Sequence, residues 1–117
     1  MVAGMKIVRD KLTIDELKEM TKEFFDTFVK GVVDIDLGIL ALNAELHADL
    51  ESKLLESGSK QENLWGINLY PDITGEGFVE FDSMINMRPS QGNMSRGVDN
   101  ASISRKIIAI VEKRIAR

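Results

Sequence analysis

Leu64-Trp65-Gly66-Ile67-Asn68-Leu69-Tyr70 alternates Trp65, Ile67 and Leu69 with Gly66, Asn68 and Tyr70. A period of two puts successive side chains on opposite faces of an extended chain, so the stretch predicts a strand with one apolar and one polar face. Pro71 ends it, because proline has no amide proton to give a ladder. The period returns over residues 78–87. Val79, Phe81, Ser83, Ile85 and Met87 share one face, while Phe78, Glu80, Asp82, Met84 and Asn86 share the other and lead to Arg88. Two glycines in Asp72–Gly77 join the runs, so a hairpin is expected with Trp65, Ile67, Phe81 and Ile85 turned inward.

Upstream, Met5 to Arg9 reads as a short strand. Met1 to Gly4 carries no pattern, which leaves Met5 as an alternative start. Thr13 with Glu16 three residues on is a capping box, and Leu12 with Leu17 a hydrophobic staple. Ile14, Leu17, Thr21, Phe24, Phe25, Phe28 and Val29 then recur at helical spacing, so the helix is expected to reach Val29 with its phenylalanines in the core. Val33 and Ile35 alternate with Asp34 and Asp36, and Gly38 precedes Ile39 to Leu42, which predicts a hairpin turning at Asp36 to Gly38. Leu46, Leu50, Leu54 and Leu55 form a second helix, capped at Asp49 and stopped near Ser57 by Gly58. Ile103, Ile107, Ile108, Val111 and Ile115 form a third, capped by Asn100 or Ser102. Between them, the thirteen residues Arg88 to Asn100 read as a long loop of the kind that is functional or disordered. The order βαββαββα predicts an α+β fold, a two-layer antiparallel or mixed sheet of about five strands against three helices, as a single domain over 1–117.

At 117 residues, 44% hydrophobic and 29% charged, the chain has the make-up of one soluble globular domain. Cysteine is absent, which excludes disulfides, thiolate metal sites and cysteine nucleophiles. No apolar run approaches a membrane span and no signal peptide opens the chain, so the cytoplasm is the expected compartment and no membrane partner is expected. The net charge of −4 conceals an asymmetry. Residues 1–87 hold eight basic and seventeen acidic side chains, residues 88–117 seven basic and two acidic. A basic tail on an acidic body suits an anionic partner or a homodimer, although Lys113, Arg114 and Arg117 also suit the carboxyl end of a helix.

Two constellations could carry chemistry. Glu45, His47, Asp49 and Glu51 alternate where a strand gives way to a helix, and the imidazole of His47 is suited to proton transfer near neutrality. The spacing is no metal signature, so no metal or cofactor is expected. The plainer reading is that Asp49 caps, Glu51 meets the helix dipole and His47 bonds locally. The second constellation is the polar strand face, with Asn68, Tyr70, Asp82, Asn86 and Arg88, continued by Gln91, Asn93 and Arg96 in the loop. Amides and guanidinium groups recognise polar or anionic groups rather than break bonds. Against this, Asn68 and Asn86 could satisfy backbone groups, and Arg88 and Arg96 could pair with Asp82, Glu80 or Asp99. Arg88, Arg96, Arg105, Lys106, Lys113 and Arg114 could meet phosphates, but an acidic protein without a stacking platform makes nucleic acid a minor expectation.

Through Glu45-Leu-His-Ala-Asp49, Gly58-Ser-Lys-Gln61, Leu64-Trp-Gly-Ile-Asn-Leu-Tyr-Pro71, Glu80-Phe-Asp-Ser83, Ile85-Asn-Met-Arg-Pro89 and Gly92-Asn93, the chain resembles a family of small prokaryotic proteins known as a domain of unknown function. The likeness spans nearly the whole chain and implies a complete member, but it brings no activity and no catalytic residue. The expected function is a non-enzymatic binding module whose polar sheet face and 88–100 loop take a protein partner, a second copy or a small anionic ligand. The alternatives are a metal-assisted or acid/base hydrolase using Glu45, His47, Asp49 or Asp82, and a weak nucleic-acid binder.

Overall fold

Thr13 starts the first helix as its sequence requires. Its hydroxyl accepts from the Glu16 amide at 3.1 Å and the Glu16 carboxylate accepts from the Thr13 amide at 3.1 Å. The structure, a computed structural model, describes residues 4–117, so Met1 to Ala3 lie outside the described residues. Strands β1 (Lys6–Val8) and β2 (Leu12–Thr13) lead into α1 (Ile14–Thr21). Leu12 and Leu17, the staple pair, are both fully buried.

The helix ends eight residues before Val29. Thr21 bonds its hydroxyl back to the Lys18 carbonyl at 2.6 Å, the Lys22 and Glu23 amides turn to carbonyls three residues back, and Asp26 adopts a left-handed backbone at φ 63°. These local bonds unwind the last turn, so the expected long helix and its core phenylalanines are corrected. Phe24 is exposed, while Phe25 stacks on Phe28 at 4.7 Å and Phe28 meets Tyr70 at 5.2 Å along the surface.

Strands β3 (Val29–Asp34) and β4 (Ile39–Leu42) form the expected hairpin. The Asp34 carboxylate accepts from the Asp36 and Leu37 amides, both at 2.9 Å, and Gly38 supplies the positive φ that closes the turn. After it, α2 (His47–Glu56) begins two residues before the expected cap: Leu46 occupies the cap position and Asp49 the first turn. Strand β5 (Leu64–Leu69) pairs with β3 and, over two residues, with β6 (Val79–Glu80). The five-stranded antiparallel sheet runs β1-β4-β3-β5-β6. Helix α3 (Ala101–Arg114) starts at Asn100, whose carboxamide oxygen accepts from the Ser102 and Ile103 amides. It ends in β7 (Ile115–Ala116), which pairs in parallel with β2, a two-residue pairing that no periodicity announces.

The α+β expectation holds, with helices on both faces of the sheet. Val33, Leu40, Trp65, Ile67 and Leu69 pack with Leu17, Met20, Ile107 and Val111 on one face. Val32, Ile39, Ala41 and Leu64 pack with Leu50 and Leu54 of α2 on the other. Because α2 covers only part of its face, the region around Asn68 is left open. Among the described residues no helix is long and apolar enough to cross a membrane.

The expected strand over 78–87 is corrected. Only Val79 and Glu80 pair; the chain then turns away through short 3₁₀ turns at Met84–Asn86 and Pro89–Gln91. Ser83 causes the break. Its amide bonds the Arg96 carbonyl at 2.9 Å and its side chain accepts from the Ile85 amide, so Ile85 crosses to the α2 side of the sheet. The Arg88–Asn100 segment is tied down too. Asn93 donates to the carbonyls of Asn86, Ser95 and Gly97 and accepts from the Asp99 amide. Bonds from the Ser95 hydroxyl and the Met94 amide hold the Asp99 carboxyl below the usual carboxylate range.

Candidate functional site

Register brings three residues into line on the open part of the sheet: Lys30 of β3 faces Asn68 of β5, which faces Glu80 of β6. They form the floor of a cavity of about 520 Å³. Leu46, His47 and Ala48 at the amino end of α2 overhang one side. Phe28 and Tyr70 close a second, and Asp82 to Ile85 with Arg96 a third.

Asn68 is only 6% exposed. Its amide nitrogen donates to Glu80 Oε1 at 2.8 Å and reaches the Asp82 carbonyl at 3.5 Å, whereas its carboxamide oxygen is closed off from solvent with no donor at full hydrogen-bond distance, the His47 ring being its neighbour. Both neighbours can only accept, so the amide orientation is fixed and the unsatisfied atom is an acceptor. The Tyr70 hydroxyl donates to the same Glu80 oxygen at 3.0 Å, and partial burial, then that bond and the Glu80 charge, raise its pKa. Asp82 and Arg96 pair at 2.7 Å, half-exposed.

His47 sits over Gly66, where the absence of a side chain lets the ring approach the sheet: a Cβ there would lie 3.2 Å from His47 Cδ2. Nε2 lies 2.8 Å from the Ile67 carbonyl oxygen. That oxygen can only accept, so Nε2 carries the proton and the neutral ring keeps its lone pair on Nδ1. Cδ2 and Nε2 are adjacent ring atoms and both face the sheet, which turns Nδ1 away from it. Burial pushes the imidazole below its ordinary value, partly opposed by the bond to Ile67, with Lys30 adding to the fall and Asn68 and Asp82 resisting it.

The chain has one histidine, so the effect is directly measurable. An NMR titration should give an imidazole midpoint below 6.5. The unfolded chain takes up this proton before the folded one does, so stability is complete above about pH 6.5 and declines as pH falls toward the folded midpoint. His47→Gln should flatten that part of a melting profile. A midpoint at or above the ordinary value would contradict the burial argument.

The structure therefore divides the expected ligand-binding set. Asn68, Tyr70, Asp82 and Arg96 meet at the cavity. Asn86, Arg88, Gln91 and Asn93 instead bond main chain along the free edge of β5 and in the adjoining loop; Asn86 and Asn93 are buried, which corrects their expected outward placement, whereas Gln91 stays exposed. Asn86, fully buried, accepts from the Gly66 amide at 2.8 Å and donates to the carbonyls of Gly66 and Arg96 at 3.0 and 2.9 Å. Arg88 donates to the carbonyls of Ile85, Gln61 and Leu64 and lies 4.4 Å over the Trp65 ring. Gln91 donates to the Glu62 carbonyl.

Of the acidic and histidine constellation, His47 alone lines the cavity; Glu45 and Asp49 are exposed on the solvent side. Among the described residues no three His, Asp or Glu side chains gather as a metal ion would require. Sequence reasoning missed Lys30 and the amino end of α2 as partners of Asn68. Lys30 stands out only as the cation preceding Gly31 in an apolar strand, and its cross-strand neighbour is set by register.

No curated protein and no solved structure matches the chain. A sequence model of the family described as Protein of unknown function (DUF5674) matches residues 6–114.

Proposed function

The chain belongs to this family of unknown function, and from its site we propose that it is a binding module for a small polar ligand held in the cavity between the amino end of α2 and strands β5 and β6. The cavity itself carries the reading: Lys30, Asn68 and Glu80 stand in register on its floor, and His47, Tyr70, Asp82 and Arg96 line its walls. The surrounding groups favour recognition over bond breaking. Tyr70 and Glu80 bond each other, Asp82 and Arg96 neutralise each other, and His47 is the one neutral base at hand.

Three of the six basic groups that a nucleic-acid reading needs are engaged within the chain, while Arg105, Lys106 and Lys113 stand exposed on α3. Arg88 binds carbonyls, Arg96 binds Asp82, and Arg114 donates to the carbonyls of Gly38 and Asp10. The polar-ligand reading is tested by ¹H–¹⁵N spectra recorded with a panel of hydroxy acids, amino acids, sugars and nucleosides. Shifts centred on the amides of His47, Asn68 and Tyr70, lost in Asn68→Leu with the rest of the spectrum unchanged, are expected. A panel that moves no cavity amide would overturn the reading.

A further inference from the structure

Strand β6 is the last strand of the five-stranded sheet, so one of its edges has no neighbour. The bond from the Tyr70 amide to the Phe78 carbonyl at 2.9 Å, continued by the pairing of Leu69 with Val79 and Asn68 with Glu80, fixes which groups lie along that edge. Hydrogen-bonded and non-hydrogen-bonded pairs alternate along an antiparallel ladder, so Phe78 and Glu80 bond β5 while the amide and carbonyl of Val79 point away from it. Neither group has a hydrogen-bond partner among the described residues, although Val79 is only 9% exposed. Farther along, the chain covers its own edge, since the Ser83 amide bonds the Arg96 carbonyl. Main-chain groups so nearly buried are almost always paired, so an open donor and acceptor at Val79 mark a place for another chain.

Val79 lines a second cavity, of about 770 Å³, between β6 and α3. Phe78, Val111 and Ile115, all buried, and Ile108 complete its apolar walls. Strand β7, an edge of the two-stranded sheet, also lines it. The Val79 side chain packs in the layer of α1 and α3, and a residue paired with it across a ladder would turn its own side chain the same way, into the cavity. The rim is acidic. Glu76 and Glu112 are exposed and have no basic side chain within 4.0 Å among the described residues. The cation at the rim, Arg117, is already held, 4.4 Å over the Phe78 ring and 3.1 Å from the Ile73 carbonyl oxygen to which it donates.

From the open edge, the apolar walls and the acidic rim together, we propose that the groove between β6 and α3 takes an extended peptide as an added strand, with apolar side chains at alternate positions and lysine or arginine beside them. The main chain of the peptide pairs with Val79, its apolar residues enter the cavity, and its basic residues meet Glu76 and Glu112. A small apolar molecule would leave the Val79 amide and carbonyl open. A second copy joined edge to edge through β6 would bring two acidic rims together. The groove shares no lining residue with the cavity around Asn68, so this site stands apart from the small-ligand reading.

The probe is the peptide acetyl-Lys-Val-Thr-Val-Lys-amide, titrated into the intact chain and followed in ¹H–¹⁵N spectra. Shifts are expected at the amides of Val79, Ile108 and Val111, with slower solvent exchange at Val79. Replacing both lysines of the peptide by glutamate should weaken binding about tenfold or more. Methylating the amide nitrogens of both valines, which removes the donors that face β6, should abolish it. Glu112→Lys should weaken the lysine peptide and favour the glutamate peptide, while unchanged emission of the buried Trp65 shows that the fold is kept. Equal binding of the methylated or the glutamate peptide would overturn the proposal, as would peptides that move none of these amides while benzyl alcohol does. Shifts at Val79 that follow the concentration of the chain alone would assign the groove to a second copy and overturn it as well.

Discussion

Gly66→Ala is expected to destabilise the chain by about 3 kcal/mol, a fall in Tm on the order of 10 °C for a domain of this size. A Cβ at position 66 would stand 2.5 Å from Ser83 Cβ, 2.6 Å from Ser83 Oγ and 3.2 Å from His47 Cδ2. None of these can retreat cheaply. Ser83 is fixed by its own main-chain bonds, and His47 by the Ile67 carbonyl. The added methyl therefore pushes β5 from both neighbours at once. Thermal melts of Gly66→Ala, Ser83→Gly and the double variant form the test. Ser83→Gly removes the two nearest atoms, so the double variant should recover part of the loss. Equal melting of Gly66→Ala and the parent would show that Ser83 and His47 do not press on this strand.

Asn86→Leu should cost about as much for the opposite reason, loss of bonds rather than crowding. Its carboxamide stands in for a missing strand, pairing with both backbone groups of Gly66 and with the Arg96 carbonyl from a fully buried position. Leucine fills a similar volume but leaves the amide and the carbonyl of Gly66 without partners, at about 1–3 kcal/mol each where water cannot reach them, while the Arg96 carbonyl keeps only the Ser83 amide. Some relaxation of the loop is expected, so the net loss should be about 3 kcal/mol in urea unfolding. The Gly66 amide should also exchange with solvent far faster than in the parent. Asn86→Asp keeps the acceptor for the Gly66 amide but sets a carboxylate against two carbonyl oxygens, so it should be no better near neutral pH. Slow exchange at Gly66 in either variant would mean that another group closes this edge.

Signals confined to a few neighbouring residues were legible. The Thr13–Glu16 box, the turn at Asp36 to Gly38, the alternation of residues 64–69 and the cap at Asn100, one of two expected, each rest on bonds within the same segment or on the period of an extended chain. What was not legible depends on distant partners. Alternation over residues 78–87 has the pattern of a strand, yet the Ser83 amide prefers the Arg96 carbonyl and the side chain of Asn86 fills the place the strand would have taken. The α1 periodicity runs on to Val29, but bonds around Thr21 and the left-handed Asp26 stop the helix first. At the site, Asn68 and Tyr70 follow from alternation alone. The nearness of His47 follows from Gly66, and that of Lys30 from the β3–β5 register, neither of which a single strand records.

The side chains lying along β5 have a consequence for the protein in a crowded solution. All six residues of β5 are buried, and over residues 64–67 its edge has no neighbouring strand to occupy it. Bare main chain on so apolar a segment would template the strands of other molecules and seed fibrils. Asn86 and Arg88 occupy those groups with side chains that cannot propagate a ladder, so the 82–100 loop serves as a guard against aggregation as well as a wall of the cavity.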